Sequence, residues 1–160
     1  SVPLLTQGSL RKLRALIPEA GTSIQNPVDV GSPAPKPGDL RSVLEVVASD
    51  PNLDTIVLNQ FNLLGWRVYP PLSAEESERL GQELREVPAQ IKKRFGKPVV
   101  VAQPIIPIEV EMLHLERENR LTRDYCLKAG IPVFPNLERA IKAYAVILNY
   151  YRGAGSAHLN

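Results

Sequence analysis

Apolar residues along the chain gather in short runs that Pro, Gly or Asn residues bound. Four of these runs lack the alternation of a half-exposed strand, and therefore predict strands buried on both faces. The predicted strands run from Ser23 to Val30, Asp54 to Asn59, Pro98 to Gln103 and Ile131 to Phe134. Such strands are typical of a parallel sheet that helices cover on both sides.

Apolar residues at helical spacing fill the stretches between these strands. The predicted helices run from Leu40 to Val47, from Ser73 to Phe95, from about Glu109 to Ala129, and from an Asn136 cap to Leu148. Pro88 is expected to kink or split the second helix, and Gly130 to end the third. Strands that alternate with helices imply right-handed crossovers, so the pattern predicts a parallel α/β sheet between helix layers.

The length of 160 residues predicts one domain, which we expect to span residues 1–152. Residues 153–160 predict a flexible C-terminal tail. Hydrophobic residues make up 44% and charged residues 22% of the chain, which argues against wholesale disorder. Because the chain opens on Ser1 rather than methionine, we expect it to be a processed or excised piece of something longer.

Charged residues are scattered along the chain, with 19 basic and 17 acidic side chains and a net charge of +2. This distribution offers no electrostatic footprint for nucleic acid or for an anionic membrane, so neither is expected as a partner. No apolar run approaches the roughly 20 residues of a membrane-spanning helix. A single cysteine, Cys126, and the lack of a secretory signal predict a cytoplasmic protein.

Side chains that carry out acid-base or nucleophilic catalysis are scarce. His114 lies among apolar residues on a predicted helix, and His158 lies in the predicted tail. Cys126 is expected to fill a helix interface rather than to act as a nucleophile. No cluster of Cys, His or carboxylate side chains has the spacing of metal ligands. The sequence therefore predicts neither a catalytic residue nor a metal site.

Polar residues and glycines stand at the carboxyl ends of the predicted strands, where open parallel sheets bind ligands. Gly31 and Ser32 would allow backbone to approach an anion, or they form an ordinary turn. Asn26 is expected to tie down neighbouring loop backbone. For Asp29, tying down the loop and facing a ligand stay equally open.

Four segments in order carry a family resemblance: NPVDVGS, SDPNLDTIVLNQF, GKPVVVAQ and AGIPVFPNLERAIKAYAVILNYYR. Together they resemble the ligase domain of nucleoside-diphosphate-forming acyl-CoA synthetases. They are similar, more distantly, to the C-terminal domain of the succinyl-CoA synthetase β subunit. The resemblance spans about Leu4 to Arg152 and implies a three-layer flavodoxin-like α/β fold with a short parallel sheet. It leaves open whether the sheet lacks its first strand, because the Gly-rich upstream segment of the family is not found here.

The resemblance implies an acid-thiol ligase that couples acyl-CoA formation to ADP formation through a phosphohistidine. In that family this domain is non-catalytic and helps to form the phosphate site, whose facing loops match Asn26, Asp29, Val30, Gly31, Ser32, Asn59 and Phe61 in this chain. One departure follows Phe61, where Asn62-Leu63-Leu64 replaces the paired glycines of the relative. This departure and the apolar residues of the insertion motivate an alternative, an interaction or regulatory module that keeps the fold without ligase activity.

Cofactors and partners are also implied only by the resemblance. The parent enzyme would use CoA, ATP or ADP, and Mg, whereas this domain alone would bind none of them. The implied partners are CoA-binding, phosphohistidine-bearing and ATP-grasp domains of the same parent or of a partner subunit. A homo-oligomer stays open, because a sheet without its first strand exposes an edge to edge-to-edge association. An independent nucleotide-binding flavodoxin-like protein is a third hypothesis, which no motif supports.

Overall fold

Three short strands and five helices alternate along the parts of the chain that the computed structural model describes, which are residues 2–19, 21–31, 39–59, 74–104 and 113–157. The elements are α1 (Gln7–Leu16), α2 (Asp39–Ser49), β1 (Ile56–Asn59), α3 (Ala74–Phe95), β2 (Val99–Ala102), α4 (Leu113–Lys128), β3 (Val133–Phe134) and α5 (Leu137–Ala157). The chain is thus of the α/β class, as its pattern predicts. No helix in these parts of the chain is long and apolar enough to cross a membrane.

The three strands form one parallel sheet in the order β1-β2-β3. In its register Ile56 lies beside Val99, and Asn59 beside Ala102. Ala102 in turn lies beside Phe134. A helix lies between the two strands of each parallel pair along the chain, α3 between β1 and β2 and α4 between β2 and β3. Parallel pairing requires such a crossover connection.

Helices cover both faces of this sheet. Alternate residues of β2 point to opposite faces, and each set packs against different helices. Val99 and Val101 pack into a cluster with α2, α3 and α4. Val100 and Ala102 pack against Ala140 of α5 on the other face. The helix layers on both faces confirm the predicted layered arrangement.

A second apolar cluster joins α1 to α2 beside the sheet. Its buried members are Leu5, Leu10, Leu13, Ile17, Val43 and Leu53. Ile24, Val28 and Val30 are packed against it and are partly buried. The segment that the sequence assigns to the first strand therefore buries its apolar side chains here.

The strand predicted from Ser23 to Val30 is wrong. Ser23 and Asp29 form an isolated antiparallel bridge, with N–H···O distances of 3.0 and 2.7 Å in the two directions. The segment folds back on itself between them, and Pro27 has no backbone N–H to donate to a strand ladder. The α1–α2 cluster, rather than the sheet, accepts its apolar side chains.

Two helix boundaries also differ from the expectations. Pro88 lies inside α3, which runs from Ala74 to Phe95, so the helix is not split at this residue. Val87 and Pro88 are fully buried against the core. Burial of apolar side chains here outweighs the hydrogen bond that a proline removes. Helix α5 continues to Ala157, beyond residue 152, where the domain was expected to end.

Two other predicted helix ends are confirmed. Asn136 caps α5, since its Oδ1 accepts a hydrogen bond of 2.8 Å from the Arg139 N–H. Gly130 follows the end of α4 with a φ of +67°, a conformation that favours glycine. Ser73, where the second predicted helix begins, lies outside the described residues.

Candidate functional site

The carboxyl ends of the three strands form one polar edge of the sheet. The register places Asn59, Ala102 and Phe134 in a row across it. At about 4.8 Å between neighbouring strands, this row is roughly 10 Å wide. The chain leaves β2 through Gln103 and β3 through Asn136. We call Asn59, Gln103 and Asn136 the carboxyl edge.

Gln103 is the buried member of this edge, with 2% of its surface exposed. It continues the side of β2 that Val99 and Val101 turn to α4, since side chains alternate along a strand. Its Nε2 donates to two acceptors of Asn119 on α4, the backbone O at 3.1 Å and Oδ1 at 3.0 Å. These two bonds fix the amide orientation, because both acceptors face the nitrogen.

The other half of the Gln103 amide is unsatisfied. Within the described parts of the chain, no group donates a hydrogen bond to its Oε1, although the atom is buried. A buried acceptor without a donor costs about 1–3 kcal/mol. Buried polar groups without a partner are uncommon in folded proteins, and a bound N–H or O–H group that donates a hydrogen bond is one explanation for this one.

The N-terminus of α5 lies beside Gln103 at this edge. The Gln103 N–H donates to the Phe134 O at 2.8 Å, which joins the ends of β2 and β3. A helix N-terminus presents backbone N–H groups and a partial positive charge to an anion. Glu138 already supplies a carboxylate in this first turn, and it pairs with Lys142 at 2.6 Å.

The N-terminus of α2 already has an anionic partner from within the chain. Glu83 of α3 is buried, and its Oε1 accepts a hydrogen bond of 2.9 Å from the Arg41 N–H in the first turn of α2. This helix follows the loop predicted to face phosphate. A phosphate at the Arg41 N–H would therefore compete with the Glu83 carboxylate.

Asn26 and Asp29 both bind loop backbone in this structure. The Asn26 Nδ2 donates to the Pro3 O at 2.9 Å, and the Asp29 Oδ1 accepts from the Gly31 N–H at 2.8 Å. The next residue after Pro3, Leu4, accepts a hydrogen bond from Asn52, which precedes β1. The contacts of Asn26 thus lie toward the start of β1, whereas Asn59 stands at its end.

Gly31 and Val30 have structural explanations of their own. Gly31 has a φ of +76°, and an added Cβ would lie 2.6 Å from the Thr22 side chain. Val30 packs against the α1–α2 cluster. Ser32 and Phe61, the remaining predicted residues, lie outside the described residues. The structure therefore shows Asn59 at the carboxyl edge and does not show the other predicted residues assembled around it.

Sequence reasoning did not single out the side chains of Gln103 and Glu83. A signal for Gln103 exists, since it directly follows the wholly buried strand VVVA. A polar residue at the next inward position must find partners in the core. Glu83 carries no such signal, because its partner Arg41 lies 42 residues away.

Asp50 is a second buried polar centre. It precedes β1, whereas Asn59 is the last residue of that strand. Its carboxylate accepts hydrogen bonds from the Thr6 N–H at 2.8 Å, the Thr6 hydroxyl at 2.9 Å and the Asn52 N–H at 2.9 Å. Burial opposes ionisation, but hydrogen bonds from Ser9, Asn52 and Thr6 outweigh it and lower the pKa of Asp50 from 3.8 to about 2. Asp50 therefore joins α1 to the end of α2 as an ionised structural group.

Reactive side chains are few in the described residues. Cys126 is buried between α4 and the sheet, and this burial raises the pKa of its thiol to about 11. A thiol with that pKa is a poor nucleophile at neutral pH. His158 lies outside the described residues. No group of three metal-ligating side chains occurs within the described parts of the chain.

Comparisons with protein-family models, with curated proteins and with solved structures found no match to this chain. The class that the structure defines is an α/β domain with a three-stranded parallel sheet.

Proposed function

We propose that this chain is a non-catalytic, flavodoxin-like ligase domain of an ADP-forming acyl-CoA synthetase, an acid-thiol ligase. The observation that carries the proposal is the polar carboxyl edge of a parallel sheet, where Gln103 holds a buried acceptor without a donor in the described residues. Ligands of open parallel sheets bind at this edge. The role fits a domain that lines a site while another domain supplies the reacting group.

The chemistry available at this edge is hydrogen bonding rather than proton transfer. Asn59 is exposed at the end of β1, and the first turn of α5 presents backbone N–H groups at the other end of the row, after β3. These groups stabilise an anion, and Gln103 Oε1 accepts from a donor. The domain would therefore form a wall of a phosphate site, with its phosphohistidine on a separate domain.

The proposed parent enzyme supplies what this domain lacks. It would use CoA, ATP or ADP, and Mg, with none of them bound by this domain alone. CoA-binding, phosphohistidine-bearing and ATP-grasp domains would be its partners in a cytoplasmic enzyme. The contacts with them are expected at the carboxyl edge, because that is where the phosphate site is placed.

The test is an assay of the full-length gene product with ATP, CoA, Mg and a panel of short carboxylic acids. We expect ADP and acyl-CoA to form in equal amounts only when both acid and CoA are present. Labelling with γ-³²P-ATP is expected to give an acid-labile, alkali-stable phosphoprotein. Failure of both readouts with every acid would overturn the ligase proposal.

The contact between Glu83 and α2 favours a second candidate, an interaction or regulatory module without ligase activity. A carboxylate of the chain itself already occupies a donor at the helix N-terminus that follows the predicted phosphate loop. A module that does not bind phosphate would keep this contact permanently. Acid-labile phosphate on the full-length product would rule this candidate out, and inactive but folded full-length product would support it.

A further inference from the structure

Helix α5 is much longer than the sheet on which it packs. It has 21 residues, which at about 1.5 Å per residue give about 31 Å. The longest strands have four residues, or about 13 Å at about 3.3 Å per residue. Because α5 starts at the carboxyl edge, more than half of it extends past the opposite end of the sheet.

The helix face that packs on the sheet continues into this extension. Ala140 is fully buried against β2. Ile147 and Tyr151 lie about two and three turns further along the same face. Yet they are 52% and 69% exposed. The face is apolar beyond the point where the described part of the sheet ends.

Two more exposed apolar side chains widen this face. Val146 and Tyr150 are 68% and 70% exposed, and they form an i, i+4 row beside the row of Ile147 and Tyr151. The two tyrosine rings contact edge to face, with centroids 5.5 Å apart. We call Val146, Ile147, Tyr150 and Tyr151 the overhang stripe.

The helix carries no charged residue between Lys142 and Arg152. Residues 143–151 read AYAVILNYY and include no charged side chain. Lys142 lies one turn before Val146 in the same i, i+4 row, and it pairs with Glu138 one turn further back. The four side chains of the stripe carry no charge themselves, so they offer nothing for the recognition of an acidic or basic partner.

We propose that the overhang stripe is a self-association surface, on which the α5 helix of a second copy of this chain packs in an antiparallel, two-fold arrangement. A two-fold interface presents the same patch on both copies, which suits an uncharged stripe. Two tyrosines and two aliphatic side chains, with their flanking atoms, bury about 500–600 Å² per copy. Two copies bury about 1,000–1,200 Å² in total, which is at the lower end of specific interfaces and fits a weak dimer.

This inference does not rest on the proposed ligase function. The stripe lies beyond the end of the sheet opposite Gln103 and Asn136. A dimer through α5 leaves the carboxyl edge open on both copies. Loss of one proposal therefore leaves the other standing.

The test is sedimentation velocity of the chain from 1 to 200 µM, with Ile147→Glu and Tyr151→Lys as interface variants. We expect wild type to form dimers with a micromolar dissociation constant, and each variant to weaken the dimer at least tenfold. Leu127→Glu is the matched control, because Leu127 is a 54% exposed apolar residue on α4. It should leave the dissociation constant within twofold of wild type.

A cross-link gives a second readout that does not depend on weakening the interface. Ile147→Cys, near the proposed two-fold axis, should form a disulfide-linked dimer on mild oxidation, whereas Leu127→Cys should form no disulfide-linked dimer. The native Cys126 is buried and should not contribute. A wild-type monomer at 200 µM would overturn the proposal, as would equal weakening by Leu127→Glu. Binding of the chain to phosphatidylcholine–phosphatidylglycerol vesicles without self-association would overturn it too.

Discussion

The buried polar groups near the two ends of β1 differ in their hydrogen bonding. Before the strand, Asp50 is fully buried and its carboxylate accepts hydrogen bonds from Thr6, Ser9 and Asn52. Beyond the sheet's other end, Gln103 is almost as buried, yet its Oε1 has no donor in the described residues. The Asp50 carboxylate thus has hydrogen-bond donors within the chain, whereas the Gln103 Oε1 has none among the described residues.

We interpret this difference as a structural role for Asp50 and a functional role for the carboxyl edge. Hydrogen bonds to a buried carboxylate hold the N-terminal segment to α2, and their loss would expose several unpaired donors. A buried acceptor left without a donor lowers stability, and a further bound group is one explanation for its presence in a folded protein. We therefore expect substitutions before β1 to alter folding, and substitutions at the carboxyl edge to alter activity.

The largest expected effect is on folding, from Asp50→Ala. The substitution leaves the Thr6 and Asn52 N–H groups and the Thr6 hydroxyl without their acceptor, so we expect the free energy of unfolding to fall by about 3 kcal/mol. Urea denaturation followed by circular dichroism measures it. Asp54→Ala, at an exposed position four residues on, is the control and should cost less than about 0.5 kcal/mol. Equal losses for the two variants would show that Asp50 is not a structural centre.

The second effect is a dependence of stability on pH. The folded-state pKa of Asp50 is about 2, below its ordinary value of 3.8. Its contribution is therefore complete above pH 3.8 and is lost as the pH falls toward 2. Since one pKa unit corresponds to about 1.4 kcal/mol, the loss amounts to about 2 kcal/mol.

Comparison with Asp50→Asn isolates this contribution. Between pH 6 and pH 2 the variant should lose about 2 kcal/mol less free energy of unfolding than wild type, because it has no carboxylate to protonate. Denaturation curves at four or five pH values suffice. Parallel curves for the two proteins would contradict the assignment.

The smallest expected effect on folding comes from Gln103→Leu. This change removes the two hydrogen bonds to Asn119 but also removes the unpaired acceptor, so the two terms offset to within about 1 kcal/mol. Gln103→Glu should destabilise more, because it turns a carboxylate oxygen toward two acceptors of Asn119. A leucine variant less stable than the glutamate variant would contradict the unpaired state of Oε1.

The sheet was predictable from local patterns, and the hairpin was not. The strands that form β1, β2 and β3 were each predicted within two residues at their ends, because apolar runs bounded by Pro, Gly or Asn mark buried strands. The run from Ser23 to Val30 has the same composition, but it packs against α1 and α2. The pattern of apolar residues predicts which side chains are buried, but it does not predict whether a sheet or a helix pair buries them. Pro27 was the one local sign against a strand.

The candidate site was predictable only in its position. The rule that parallel sheets bind ligands at their carboxyl ends pointed to four strand ends, at Val30-Gly31-Ser32, Asn59, Gln103 and Asn136. The first of them is wrong, because the predicted strand before it is a hairpin outside the sheet. The pairing of Gln103 with Asn119 and that of Glu83 with α2 depend on tertiary contacts across 16 and 42 residues. Such contacts leave no pattern in a single sequence.

The most direct test of the account compares the two sides of β1 in the acyl-CoA synthetase assay of the full-length gene product. Asn59→Ala and Gln103→Leu change the carboxyl edge. Asn52→Ala changes the region before β1, near Asp50, where the Asn52 side chain binds the Leu4 O. The account predicts that kcat for acid- and CoA-dependent ADP formation falls at least tenfold in the first two variants and stays within twofold of wild type in the third. Equal kcat values for Asn59→Ala, Gln103→Leu and wild type would contradict it.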